Sequence, residues 1–150
     1  VDTLRAPASL LASLPIDHSV APVDTRGGRG AAEAALARFI DQRLSRYVDD
    51  HSHPDEEVTS GLSAYLHFGH IGAHEVFAAV MTAERWTSRK LGAGRRGQRE
   101  GWWGASANAE AFLDQLVTWR ELGYNMCALQ PDDYDQFDSL PPWARATLDR

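Results

Sequence analysis

The sequence predicts an all-α fold, a helical bundle, and three observations carry that prediction. Apolar residues recur at helical spacing in three separate stretches, no stretch alternates with the period of a strand, and no internal repeat is visible. The chain has 150 residues, 43% of them hydrophobic and five of them Trp, which suits one domain with a real core rather than a disordered segment.

Residues 1–29 hold three prolines and then TRGGRG, with no sustained period, and read as a linker. From Gly30 the pattern changes. Leu36, Ile40, Leu44 and Tyr47/Val48 recur at helical spacing with Arg38, Asp41, Arg43 and Arg46 between them, which predicts a helix from about Ala31 to Asp49. Pro54 and the acidic run DDHSHPDEE then break the chain.

A second helix starts within Thr59–Ser63 and runs to about Glu84, with Leu62, Leu66, Val76, Phe77 and Val80 as its buried stripe. Thr59 and Ser60 are favoured N-cap types, because a hydroxyl oxygen accepts from the unpaired backbone N–H groups of the first turn. Gly69 and Gly72 each weaken a helix by about 1 kcal/mol relative to Ala. They point to a close helix–helix approach or to a break between two shorter helices.

A long basic loop follows. Ser106 is placed to cap a third helix, from about Ala107 to Ala128, with Phe112, Leu116, Trp119 and Leu122/Gly123 as its stripe. The tail LPPWARATL offers a last short helix with proline in its first turn.

Charge and cysteine content narrow the function classes. A formal net charge of −6 argues against wholesale nucleic-acid binding. Yet Arg85, Arg89, Lys90, Arg95, Arg96 and Arg99 follow one another with no acid among them. That run reads either as a solvated connection or as a local phosphate-contacting patch. Cys127 is the only cysteine, which excludes an intramolecular disulfide and points to a reducing, cytoplasmic setting. No apolar run approaches the roughly 20 residues that span a bilayer, and the first residues do not read as a signal peptide, so no membrane partner is expected.

Three motifs bear on chemistry. His67, His70 and His74 stand at i, i+3 and i+7 beside Glu75, a spacing that one helical face would turn into a zinc site. With no cysteine partner and a glycine inside the motif, packing is the better reading and no metal is expected. TSGLS, Thr59 to Ser63, combines hydroxyl donors, a flexible Gly61 and a helix start, either an ordinary cap or an anion grip. FLDQLVTWREL places Trp119, Arg120 and Glu121 in an apolar helix, either as a paired structural charge or as the lining of a cleft.

SGLSAYLHFGHI and AFLDQLVTWRELGYNMC, followed by YDQFDSLPPWARATL, resemble the flavin-binding helical region of the DNA photolyase/cryptochrome family. The closest likeness is to class II cyclobutane pyrimidine dimer photolyases, and GGRGAAEAALARFIDQRLSRYVDDHSHP fits the approach to the first block. The likeness covers about residues 20–150, with three blocks in the right order.

The resemblance implies that residues 30–150 are the front part of a photolyase-type FAD-binding domain, in a light-driven enzyme that splits pyrimidine dimers by electron transfer from reduced FAD. It implies UV-damaged DNA as substrate. It also implies an N-terminal antenna domain and further C-terminal helices in a longer parent. By position, Tyr47, Thr59, Ser60, Gly61, Leu62 and Ser63 match contacts to the FAD diphosphate and ribityl chain. Phe112, Gln115 and Arg120 match the flavin pocket, and Gln115 and Trp119 match positions near the lesion. Arg95, Arg96, Arg99, Trp102 and Trp103 are DNA-contact candidates on charge alone. Ala64 stands where the family has Pro, and Gln115 where it often has Glu, which leaves lesion specificity open. A cryptochrome-like photoreceptor without repair activity and a cofactor-free helical interaction module are the alternative readings.

Overall fold

Phe39, Leu62, Leu113, Val76 and Val80 are the largest side chains with essentially no exposed surface, and they come from every part of the chain that carries helical periodicity. They were located in a computed structural model that describes residues 7–92 and 101–148. Among those residues every regular element is helical and none is a strand.

The order is α1 (Pro7–Ser13), α2 (Arg29–Arg38), α3 (Tyr47–Asp50), α4 (Ser63–His67), α5 (Ala73–Ala83), α6 (Ala107–Leu113), α7 (Arg120–Leu129) and α8 (Pro142–Leu148). α1 lies within the stretch that showed no sustained period, and its Leu11 is exposed. α2 and α3 are joined without a loop, by a wide π turn over Phe39–Arg43 and a tight 3-10 turn over Leu44–Arg46. The predicted Ala31–Asp49 helix is therefore uninterrupted by a loop but irregular in pitch.

That irregularity has a packing reason. The Leu44 amide donates to the Phe39 carbonyl, five residues back rather than four. In a regular helix Arg43, four after Phe39, would share its inward face. The extra residue puts Leu44 there instead, and Phe39 and Leu44 are both buried. Val48, half of the predicted Tyr47/Val48 position, is turned out and 43% exposed, while Tyr47 is buried.

The second predicted helix is two. α4 ends at His67, Gly69 takes φ +68, and α5 begins after Gly72. Of the two roles open to the glycines, the break is the one observed: a Cβ at Gly69 would meet nothing within 4 Å. Glu75 reaches back so that its Oε2 accepts from the Gly72 amide at 3.0 Å, and its Oε1 pairs with Arg29 at 2.7 Å.

Ser106 caps α6 as predicted, its Oγ accepting from the Ala109 amide at 3.2 Å. α6 passes into α7 through a second π turn, Asp114–Trp119. Phe112 and Leu116 are buried, but the rest of the predicted stripe is not: Trp119 is 55% and Leu122 52% exposed. The wide turn rotates the following residues out of register with α6, and no residue of α7 is buried. Arg120 and Glu121 are likewise exposed, so the cost of burying charge, which made them odd in the sequence, does not arise.

Two measurements check this core. Leu62→Ala removes a fully buried side chain and should cost about 3 kcal/mol in denaturant unfolding, whereas Leu129→Ala on exposed α7 should stay within about 0.5 kcal/mol. Glu75 is held below the usual carboxylate range, first by the Gly72 amide and then by Arg29. Its contribution is present above the ordinary glutamate range and is lost as pH falls through the lowered value. Acid unfolding followed by circular dichroism should therefore be less steep for Glu75→Gln than for the wild type.

Candidate functional site

The Thr59–Ser63 turn is built from the inside out. Val58 and Leu62 are buried and anchor both sides, while Thr59, Gly61 and Ser63 are exposed. Gly61 takes φ +67 with open space where a Cβ would stand, a backbone shape that L side chains rarely adopt. The Leu62 amide donates to Ser60 Oγ at 3.3 Å. No side chain caps α4 and no acid lies in its first turn. Two exposed hydroxyls, a glycine turn and uncapped amides make a donor set that suits an anionic group.

The turn is tied to the π turn preceding α3. Arg43 Nη1 donates to the Thr59 carbonyl at 3.1 Å and its Nη2 reaches Glu57 at 3.4 Å. Arg46 Nη2 pairs with Glu56 at 2.9 Å, just upstream.

Tyr47 opens α3 and points inward. Its ring meets Phe39 at 5.9 Å and Phe112 at 5.6 Å, both edge-on, and Phe39 meets Phe112 at 4.6 Å. Tyr47, Leu62 and Phe112 thus sit in the core rather than on an open surface.

Beside that cluster lies a cavity of about 370 Å³ lined by Val48, His51, Ala107, Glu110, Ala111, Asp114 and Gln115. Gln115 is exposed to it from the second π turn. His51 stacks on Tyr47 at 4.8 Å, and its Nδ1 lies 2.7 Å from the Tyr47 carbonyl oxygen. Sequence reasoning passed over His51 inside an acidic run; the signal was its i+4 spacing from Tyr47 on a helix end.

Trp119 and Arg120 stand on the exposed side. Trp119 Nε1 donates to Asp114 Oδ2 at 3.1 Å. The Arg120 guanidinium lies 4.8 Å from the Tyr124 ring centre, donates to its hydroxyl at 3.2 Å, and borders a second hollow of about 210 Å³ with His74, Phe77 and Trp103.

Of the basic-loop candidates, Arg95, Arg96 and Arg99 lie outside the described residues. Trp102 is partly exposed at 37%. Trp103 packs on Phe77 at 5.1 Å and on Trp86 at 6.2 Å, and its carbonyl accepts from Trp86 Nε1 at 2.6 Å. Two carboxylates hold this segment: Glu110 accepts from the Gly101 and Ala105 amides, and Glu84 accepts from the Ser106 amide and hydroxyl. Gly104, at φ +63, passes so close to the Lys90 carbonyl that a Cβ would collide with it.

The three histidines do not share a helical face, because the chain breaks between α4 and α5. His70 Nδ1 accepts from the Gly28 amide at 3.2 Å, while His67 and His74 are exposed. Among the described residues no three His, Cys, Asp or Glu side chains gather closely enough to hold a metal ion.

Comparison with known proteins gives the arrangement a context. No family model matches the chain. A deoxyribodipyrimidine photo-lyase of Oryza sativa subsp. japonica is 32% identical over 126 residues, 81% of this chain and 21% of that protein. Proteins of the same name from Potorous tridactylus and Halobacterium salinarum are 26% identical over 138 residues and 37% identical over 95 residues. These cover 91% and 63% of this chain, and 22% and 17% of the relatives. The chain therefore spans about a fifth of the length of the curated relatives it matches. The homologues support the photolyase family.

Burial raises the ionisation of the Tyr47 phenol above its ordinary range. The unfolded chain then ionises first, so stability present at neutral pH is lost as pH rises toward the folded-state value. Chemical denaturation across alkaline pH should show a shallower loss for Tyr47→Phe than for the wild type.

Proposed function

We propose that this chain is the front part of the FAD-binding helical domain of a longer DNA photolyase, of the class II type, that repairs pyrimidine dimers in UV-damaged DNA. The observation that carries the reading is the kinship with deoxyribodipyrimidine photo-lyases over 81% of the chain. The site geometry is consistent with it, since one irregular helical stretch, 39–50, supports both the Thr59–Ser63 turn and the cavity that holds His51 and Gln115.

The residues present fit one end of FAD. The exposed hydroxyls of Thr59 and Ser63, the Ser60 hydroxyl, and the backbone amides at the start of α4, whose first turn has no side-chain cap and no acid, suit a diphosphate, which gains from backbone N–H donors at a turn. Tyr47 and Phe112 act from beneath by fixing the position of α3 against α6. Gln115, from the cavity wall, can both donate to and accept from a flipped pyrimidine dimer through its neutral amide. Trp119, tied through its Nε1 to the cavity-lining Asp114, offers an exposed aromatic face, and Arg120, stacked over Tyr124, a cation at the edge of the second hollow. Reduced FAD, when bound, supplies the light-excited electron that splits the dimer. The chain's own residues orient the cofactor's phosphates, admit the lesion and hold its polar edge. Trp102 and the arginines of the 95–99 segment supply DNA-backbone contacts in this reading.

The fragment reading predicts that this chain alone binds FAD weakly or not at all. Titration of the purified chain should leave the flavin spectrum unstructured, and tight one-to-one binding would contradict the reading. The full-length parent should split dimers in an oligonucleotide under blue or near-UV light and not in the dark. Light-driven flavin reduction without repair would instead favour a photoreceptor. In that parent, Gln115→Leu should weaken binding of a dimer-bearing strand by roughly tenfold, the scale of one lost polar contact, with little change for undamaged DNA.

A further inference from the structure

Arg43 is spent on the backbone of the turn rather than on any ligand. Its side chain is only 25% exposed, its Nη1 donates to the Thr59 carbonyl at 3.1 Å, and Nη2 lies 3.4 Å from a Glu57 carboxylate that is itself 95% exposed. The π turn over Phe39–Arg43 makes this reach possible: it seats Leu44 against the core and leaves Arg43 at φ −121, off the inward face. π turns of this kind interrupt the regular helix and are frequent at functional sites.

The consequence follows from peptide geometry. In a planar trans peptide the carbonyl and the next N–H point in opposite directions. Holding the Thr59 carbonyl toward Arg43 therefore turns the Ser60 N–H away from it. From there Gly61 at φ +67 and the Leu62 amide, bound to Ser60 Oγ, continue the turn. The guanidinium thus sets the direction of the first donor without touching what that donor meets.

We infer that Arg43 is the positioning residue of the Thr59–Ser63 turn, fixing the orientation of the Ser60 N–H toward the FAD diphosphate. The FAD half of this inference rests on the photolyase reading above; the hold on the turn does not. Glu57, exposed and at the far side of the guanidinium, contributes little to it.

The test has two arms. In this chain, hydrogen exchange with millisecond labelling over residues 58–63 should accelerate severalfold in Arg43→Ala, with no matching loss of thermal stability, and stay unchanged in Glu57→Gln. In the full-length parent, Arg43→Ala should raise the FAD Kd roughly five- to tenfold, the size of one hydrogen bond's net effect. Arg43→Lys, which reaches one acceptor, should recover part of both effects. Unchanged exchange in Arg43→Ala overturns the inference whatever happens to FAD. So does a loss of affinity that merely tracks a fall in melting temperature. Absence of FAD binding by the wild-type parent would sink the photolyase reading instead, while the exchange arm still decides whether Arg43 holds the turn.

Discussion

The contact among Phe39, Tyr47 and Phe112 is the constraint on which the rest of this structure depends. Phe39 sits in the first π turn, Tyr47 at the start of α3 and Phe112 near the end of α6, and their rings lie 4.6 to 5.9 Å apart. Three aromatic side chains from two stretches of chain some 65–73 residues apart in sequence bring those stretches together by burying large apolar area in one place. Asn108 completes the joint: its side-chain amide donates to the Ser45 carbonyl at 2.8 Å and its oxygen accepts from the Val48 amide at 2.7 Å. Both bonds satisfy backbone groups that the irregular passage into α3 would otherwise leave unpaired.

From that joint the candidate site is laid out in both directions. Toward the N-terminal side, the displaced Arg43 reaches the Thr59 carbonyl and Arg46 reaches Glu56, which ties the polar turn to the helix. On the other side, α3 carries His51 to the cavity, and the second π turn carries Gln115 to the same wall. Each widened turn thus carries one polar side chain of the candidate site, Arg43 in the first and Gln115 in the second. Beyond the second π turn α7 is bare: Trp119 just ahead of it, and Leu122 and Leu129 within it, are all more than half exposed.

Much of this was legible in the sequence, and the exceptions have physical causes. Helical periodicity located the three helical stretches, the Ser106 cap and the proline-started α8, because each is a local signal. The breaks within stretches were less legible. Gly69 and Gly72 signalled a break but not against the competing role of close packing, which only tertiary structure decides. The two π turns were invisible: a period of 3.6 residues predicts Leu36, Ile40 and Leu44 as inward positions, and does not anticipate that Phe39 becomes the most buried aromatic. The same assumption carried the predicted third stripe on to Trp119 and Leu122.

The polar turn was readable as an anion-grip candidate from TSGLS alone, while its tether to Arg43, 16 residues away, was not. A structure of the full-length parent with FAD bound tests the central claim most directly. The account predicts the diphosphate oxygens within hydrogen-bond reach of the backbone amides of the Thr59–Ser63 turn, with the Thr59 carbonyl still on Arg43. A diphosphate bound elsewhere, with this turn facing solvent, would contradict it.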